Sequence, residues 1–311
     1  MYRYSLYGLI AESNTEFPQL LECNKQGEAD ITIDISKEKT LKEKYRSLLE
    51  KGHIHFFTEH GVWFHNQAGD FLVETINEKT RMICEKNENT DVGIARSFLM
   101  GNGIALAMTQ RKKIVLHGST VSIGDKTVLV CGDSGTGKST TSMALIDEGG
   151  KLLADDISVL DVGKDGLVYS YPGFPEQKLC RDAAESNGYD LEKLRYIDED
   201  RDKFSVDRRD IFVNEKRKVD AMVSLHIIPR AVNDEEYVNG VKLRFIDGAE
   251  KVNAITSRFF LEWLYGYGIG LEPDEMLKCV YLAGQINIID VTRVRGVETK
   301  KEVVDRILEN I

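Results

Sequence analysis

The run Gly132-Asp133-Ser134-Gly135-Thr136-Gly137-Lys138-Ser139 satisfies G-x-x-x-x-G-K-[ST] at every fixed position. Its chemistry is anion binding. Glycines let a backbone wrap closely around a phosphate, with successive N–H groups pointing inward. A helix that begins at Lys138 would aim its positive dipole end at the same anion. Lys138 is then expected to reach the β- and γ-phosphates of a nucleoside triphosphate, and the Ser139 hydroxyl to ligate Mg²⁺. The nucleotide-binding set is Asp133, Ser134, Gly135, Thr136, Gly137, Lys138, Ser139 and Thr140.

A second constellation follows closely. Asp155-Asp156 ends a short apolar stretch just after the expected helix. A carboxylate there can hold Mg²⁺, directly or through water, and a neighbouring one can accept a proton from an attacking hydroxyl. His117 stands at the end of an apolar run before the loop, a place as common for a structural histidine as for a working one. Downstream cations, among them Lys178, Lys203, Arg208, Arg209 and Arg230, can balance charge on a transferring phosphoryl group; Lys178 and Lys203 are the preferred candidates. The other histidines and the five scattered cysteines show no metal-ligand or CxxC spacing, which fits reduced, buried thiols.

These residues need a strand, a loop, a helix and a further strand in that order. The sequence supplies them. Thr127–Cys131 is an apolar run, Lys138–Glu148 a helix, and Lys151–Ala154 a strand. Ile114–His117 and Val121–Ile123 read as two strands divided by Gly118-Ser119, and Ile157–Val162 with Leu167–Tyr171 as a hairpin. A helix is expected over Cys180–Leu194, a strand over Val219–Pro229, and helices over Ala254–Tyr265 and Lys300–Ile311. The N-terminal part is β-rich: Tyr2–Leu9, Ile31–Ile35, His55–Thr58, Gly61–Phe64 and Asp70–Glu74 read as strands. Asp91–Thr109 reads as a helix interrupted at Gly101-Asn102-Gly103. The expected fold is therefore mixed α/β, with residues 1–95 a small β-rich domain and 96–311 a P-loop domain.

With 311 residues, 42% hydrophobic and 30% charged, the chain has enough apolar matter for one large or two modest cores. A net charge of −10 argues against nucleic acid or an anionic membrane as the main partner. No uninterrupted apolar run approaches the roughly 20 residues that span a bilayer. The N-terminus shows no signal-peptide core, so a cytoplasmic location is expected.

Taken together, Val115-Leu116-His117-Gly118, the glycine loop and Leu152-Leu153-Ala154-Asp155-Asp156 resemble the HPr serine kinase/phosphorylase superfamily. That superfamily shares its nucleotide-binding core with ATP-dependent phosphoenolpyruvate carboxykinase. The resemblance covers about residues 90–175. It implies a P-loop kinase core that uses ATP and Mg²⁺, with Lys138, Ser139, His117, Asp155 and Asp156 at the reaction centre. Carried over, one aspartate of the pair is the general base and the other a Mg²⁺ ligand; Asp155 is the preferred base and Asp156 the preferred ligand, with the reverse division open. The resemblance also hints at assembly into an oligomer.

The sequence departs from the bifunctional enzymes as well. Thr140 stands where they usually place a glutamate, and their downstream signature segment is missing. The opening Tyr7-Gly8-Leu9-Ile10-Ala11-Glu12-Ser13 looks instead like HPr-kinase-like proteins of peptide-modification clusters, including kinases that phosphorylate a serine of a lasso-peptide precursor. The implied activity is transfer of the γ-phosphate of ATP to a serine hydroxyl of a peptide or protein. A small-molecule kinase, acting for instance on free serine, and a non-catalytic nucleotide-gated binding module are the alternatives.

Overall fold

A computed structural model describes residues 1–197, 202–230, 236–261 and 272–311. The chain divides into two compact units. The first comprises Met1–Lys113 with Tyr196–Lys203, the second Ile114–Arg195 with Phe204–Ile311. The fold is mixed α/β, as expected.

The first unit is built on a sheet. Strands β1 (Tyr2–Leu6), β2 (Leu9–Ser13), β3 (Leu21–Glu22) and β4 (Ile31–Ser36) precede short helices α1 (Thr40–Lys44) and α2 (Arg46–Glu50). Strands β5 (His55–Phe57), β6 (Gly61–Asn66), β7 (Gly69–Ile76) and β8 (Lys79–Lys86) follow, giving the order β3-β1-β2-β4-β8-β7-β6-β5. The apolar run 2–9 is a hairpin rather than one strand. Tyr7 and Gly8 adopt φ of 51° and 79°, and Leu6 pairs with Leu9, the geometry of a tight primed turn. Trp63, fully buried, stacks on Tyr45 at 4.6 Å. Its indole N–H donates to the buried Asp70 at 3.2 Å, so the one polar atom of the ring is satisfied.

After β8 come α3 (Val92–Phe98) and α4 (Ile104–Gln110), joined by a π-helical turn at Leu99–Gly103. The glycines widen this helix instead of breaking it. A Cβ on Gly103 would lie 2.7 Å from Met82 Cε, the movable end of a flexible side chain, and one on Gly101 would meet open space. The stretch Val92–Gln110 is long and apolar enough to cross a bilayer by length and composition, yet half of it is buried within the protein. Leu99, Met100 and the run Ile104–Met108 form part of the core.

The second unit begins with β9 (Ile114–Ile123), β10 (Lys126–Gly132), α5 (Lys138–Asp147), β11 (Lys151–Ala154), β12 (Ile157–Val162) and β13 (Val168–Tyr171). The chain continues through β14 (Glu176–Cys180), α6 (Arg181–Ser186), β15 (Arg195–Ile197) and β16 (Lys203–Asp207), of which Tyr196, Ile197 and Lys203 group with the first unit, and then β17 (Arg217–Lys218) and β18 (Ala221–Ile228). Then come β19 (Val241–Ile246), α7 (Ala249–Thr256), α8 (Pro273–Gln285), β20 (Asn287–Val294) and α9 (Lys300–Glu309). The main sheet runs β17-β13-β12-β9-β10-β18-β20-β19, with β11 also on β9. Strand β10 is parallel to β18, and β18 to β20.

Period-two alternation divides this sheet's core. Leu129, Cys131, Met222 and Ile288 pack with Ile255 of α7 and Cys279 and Leu282 of α8. Val128, Val130, Val223 and Ile289 pack with Leu145 of α5 and Val303 and Ile307 of α9.

Several expectations change here. Strand β9 is continuous through Gly118-Ser119, because β10 and β12 pair with it on both edges. Only Arg181–Ser186 of Cys180–Leu194 is α-helical, followed by a 3₁₀ turn at Leu191–Lys193. Helix α7 starts before Ala254 and ends at Thr256; residues 262–265 of the expected helix lie outside the described residues. So does the acidic run Asp198-Glu199-Asp200. The sequence-based division at 95/96 remains a proposal about folding units; by contacts the chain divides after Lys113, which leaves α3 and α4 with the first unit.

Candidate active site

The phosphate-binding motif lies where the sequence requires it, between β10 and α5. Gly132, Gly135 and Gly137 hold φ of 153°, 82° and 101°. A Cβ on Gly132 would come within 2.6 Å of Thr136 Oγ1 and 2.7 Å of the Leu225 carbonyl, so the loop's first turn closes only on glycine. Thr136 Oγ1 donates to the Asp133 carbonyl at 2.7 Å and fixes the bend. The Lys138 ammonium lies over the loop, donating to the carbonyls of Gly132 (2.8 Å) and Asp133 (3.2 Å).

Strand pairing brings the second constellation beside it. Cys131 of β10 faces Gly118 of β9, and Ile157 of β12 faces His117. The start of the loop, His117 and the Asp155-Asp156 crossing therefore lie on three neighbouring strands at one level. The crossing exists because β11 and β12 both pair with β9 and the chain must step from one register to the other. Asp156 makes that step with φ of 66°, in the left-handed region, and its carbonyl accepts the Gly118 amide hydrogen at 3.2 Å. Such a conformation costs on the order of 1 kcal/mol and is more frequent at functional sites than elsewhere.

The two carboxylates occupy different surroundings. Asp155 is buried; its Oδ1 accepts the Ser119 hydroxyl at 2.5 Å and its Oδ2 the Lys178 amide hydrogen at 2.8 Å. Asp156 lies 3.3 Å from His117 Nε2 through Oδ1 and 3.2 Å from Lys178 Nζ through Oδ2. Lys178, proposed from charge alone, thus addresses both aspartates, one through its main chain and one through its side chain. The His117 ring meets Phe260 edge-on at 5.5 Å. Lys203 heads β16 within the segment that groups with the first unit, apart from this cluster's own unit.

Sequence reasoning missed two arginines. Arg258, just after α7, pairs with the Asp133 carboxylate and donates from Nη2 to Ser224 Oγ at 3.3 Å. Arg293, near the end of β20, donates from Nε to the Thr136 carbonyl at 2.9 Å; a Cβ on Gly137 would come within 3.1 Å of its Nη2. Burial lowers the Arg293 pKa from its ordinary value. Neither belongs to a motif. The only sequence signal is position: both stand at or just beyond ends of elements that pack around the loop.

The geometry fits a magnesium nucleotide. Gly132 and Gly137 leave little room for side-chain carbon, Gly135 holds a positive φ, Lys138 sits over the loop, and Ser139 with the aspartates offers hard oxygen donors. Among the described residues no group of three or more His, Cys, Asp or Glu side chains could hold a metal. Mg²⁺ does not require one, since it commonly takes one or two carboxylates and draws its remaining ligands from phosphate and water.

Comparison with known proteins agrees with this placement. The chain is similar to a solved structure described as that of the Hpr(Ser) kinase/phosphatase from Coxiella burnetii, with 15% identity over 63% of this chain and 94% of that one. The TM-score is 0.31, so this overall likeness carries no argument. The family match is local: residues 108–174, which contain His117, the glycine loop and Asp155-Asp156 together, are similar to the HPr Serine kinase C-terminal domain.

Proposed function

We propose that the protein is an ATP- and Mg²⁺-dependent kinase that phosphorylates a serine hydroxyl of a peptide or protein. The observation that carries this reading is the His117–Asp156–Lys178 cluster on strands adjoining the phosphate loop. Bound Mg·ATP supplies the phosphoryl group and a divalent charge that offsets the negative phosphate oxygens.

The chain's own residues do the positioning. Loop amides and Lys138, whose ammonium lies over the loop on the Gly132 and Asp133 carbonyls, would hold the phosphates. Ser139, with a carboxylate of the Asp pair, holds the metal. Asp156 takes the hydroxyl proton, because it stands beside an imidazole able to receive that proton in turn. Lys178 Nζ, 3.2 Å from Oδ2, fixes the carboxylate from its other side. Asp155, fixed by Ser119 and the Lys178 amide, keeps the turn rigid. This assigns the proton to Asp156 rather than Asp155, the reverse of the division that resemblance implies.

The acceptor is read as a peptide for a second reason. The first unit's sheet ends at β5, with Ile54 and Phe56 exposed, and a strand-like peptide can extend such an edge. All five cysteines are free, which suits a reducing cytoplasm. The test is mass spectrometry of candidate serine peptides, free serine and HPr incubated with the protein and Mg·ATP. A gain of about 80 Da on a peptide supports the proposal. A gain on free serine alone moves the assignment to a small-molecule kinase. No gain despite nucleotide binding favours a nucleotide-gated binding module.

A further inference from the structure

Arg258 is placed unlike a surface arginine. Its side chain is only 10% exposed, and its Nε is buried with no hydrogen-bond partner. A buried guanidinium N–H without an acceptor is costly and calls for an explanation. The guanidinium is held from two sides: Nη2 donates to Ser224 Oγ at 3.3 Å, and Nη1 pairs with Asp133. Asp133 is the loop residue directly after Gly132, and its side chain is 75% exposed. An ion pair with so exposed a carboxylate contributes little to stability and is readily exchanged.

We propose that Asp133 is a phosphate placeholder. Its carboxylate competes with nucleotide phosphate for the Arg258 guanidinium, and a bound phosphate takes the guanidinium over. The Nη1 released by Asp133 then donates to a phosphate oxygen, and phosphate carries more charge and more acceptor sites than one carboxylate. Ser224 keeps the group in place during the exchange. Asp133 therefore lowers nucleotide affinity, and Arg258 contacts phosphate directly. This inference rests on the nucleotide-binding part of the proposed function but not on transfer to any acceptor.

The test is a double-mutant cycle read by calorimetry of the full chain with Mg²⁺ and a non-hydrolysable ATP analogue. Asp133→Ala is expected to tighten binding by about threefold or more, within the range seen for directly coupled groups. Arg258→Gln is expected to weaken it. In the Arg258→Gln background the gain from Asp133→Ala shrinks. An equal or larger gain there means that Asp133 acts by simple charge repulsion, and overturns the placeholder. Arg258→Lys, which keeps the charge but not the fork, guards against misfolding and is expected to bind between wild type and Arg258→Gln. Binding indistinguishable among all variants defeats this inference alone. Failure of the wild type to bind the analogue defeats the kinase reading and this inference together.

Discussion

The main-chain carbonyl of Arg258 accepts the amide hydrogen of His117 at 2.7 Å, while the Arg258 side chain reaches Asp133 in the phosphate loop. One residue thus ties the histidine's strand to the loop, although 141 positions separate it from His117 in sequence (258 − 117). The glycine loop and the strand that carries His117 are braced against each other through it.

Asp156→Asn is expected to reduce phosphoryl transfer by about 10²–10⁴-fold, the usual range for a lost general base, with nucleotide affinity little changed. Rapid-quench transfer rates beside calorimetric affinities measure both. Asp155→Asn is expected to cost less transfer and more stability, since Asp155 is buried and accepts from Ser119 and the Lys178 amide. The opposite ranking would return the base role to Asp155.

Lys178→Met keeps the main-chain donor to Asp155 and removes only the ammonium beside Asp156. Transfer is expected to fall by about 10-fold or more, and stability to fall as well, because the Lys178 side chain is only 10% exposed and its loss leaves Asp156 without that partner. A loss of stability without a loss of rate would make Lys178 purely structural.

Gly118→Ala tests the seating of His117. Its Cβ would lie 2.7 Å from both Cys131 Sγ and the Val130 carbonyl, inside the sheet. Overpacking of this kind costs about 1–3 kcal/mol and is read as a lowered denaturation midpoint. Unchanged stability would show that β9 and β10 are less tightly paired than described.

Much of this was legible in the sequence. The loop is readable because phosphate binding demands glycines and a lysine at fixed spacing, and its flanking strand and helix follow from apolar runs. His117, Asp155 and Asp156 stand out through their place around that loop. The two arginines do not, because nothing local distinguishes Arg258 or Arg293 from other surface cations; only the strand order brings them to the loop. Gly118-Ser119 misled in a similar way. Glycine usually ends a strand, but here it permits close approach to Cys131. Helix 92–110 continues through its glycines as a π-helical turn at Leu99–Gly103, with Leu99, Met100 and Gly103 buried.

Asp290 offers a pH test of stability. Burial alone would raise its pKa, but hydrogen bonds from His226 and Arg244 outweigh that and hold it below the ordinary carboxylate value. A depressed folded-state pKa contributes stability that is present above the unfolded value of about 3.9 and is lost as pH falls through the folded one. Asp290→Asn should therefore be less stable than wild type at neutral pH, with the difference shrinking in acid. Denaturant midpoints measured from pH 7 downward check this, and a difference that grew in acid would contradict it.

The most direct test of the central claim is the transfer of labelled γ-phosphate from ATP to a serine peptide, measured in wild type and Asp156→Asn at matched nucleotide occupancy. Label on the serine of the wild-type reaction, lost in the variant while nucleotide still binds, is the predicted result. Equal labelling by both proteins, or none by either when nucleotide is fully bound, would contradict the account.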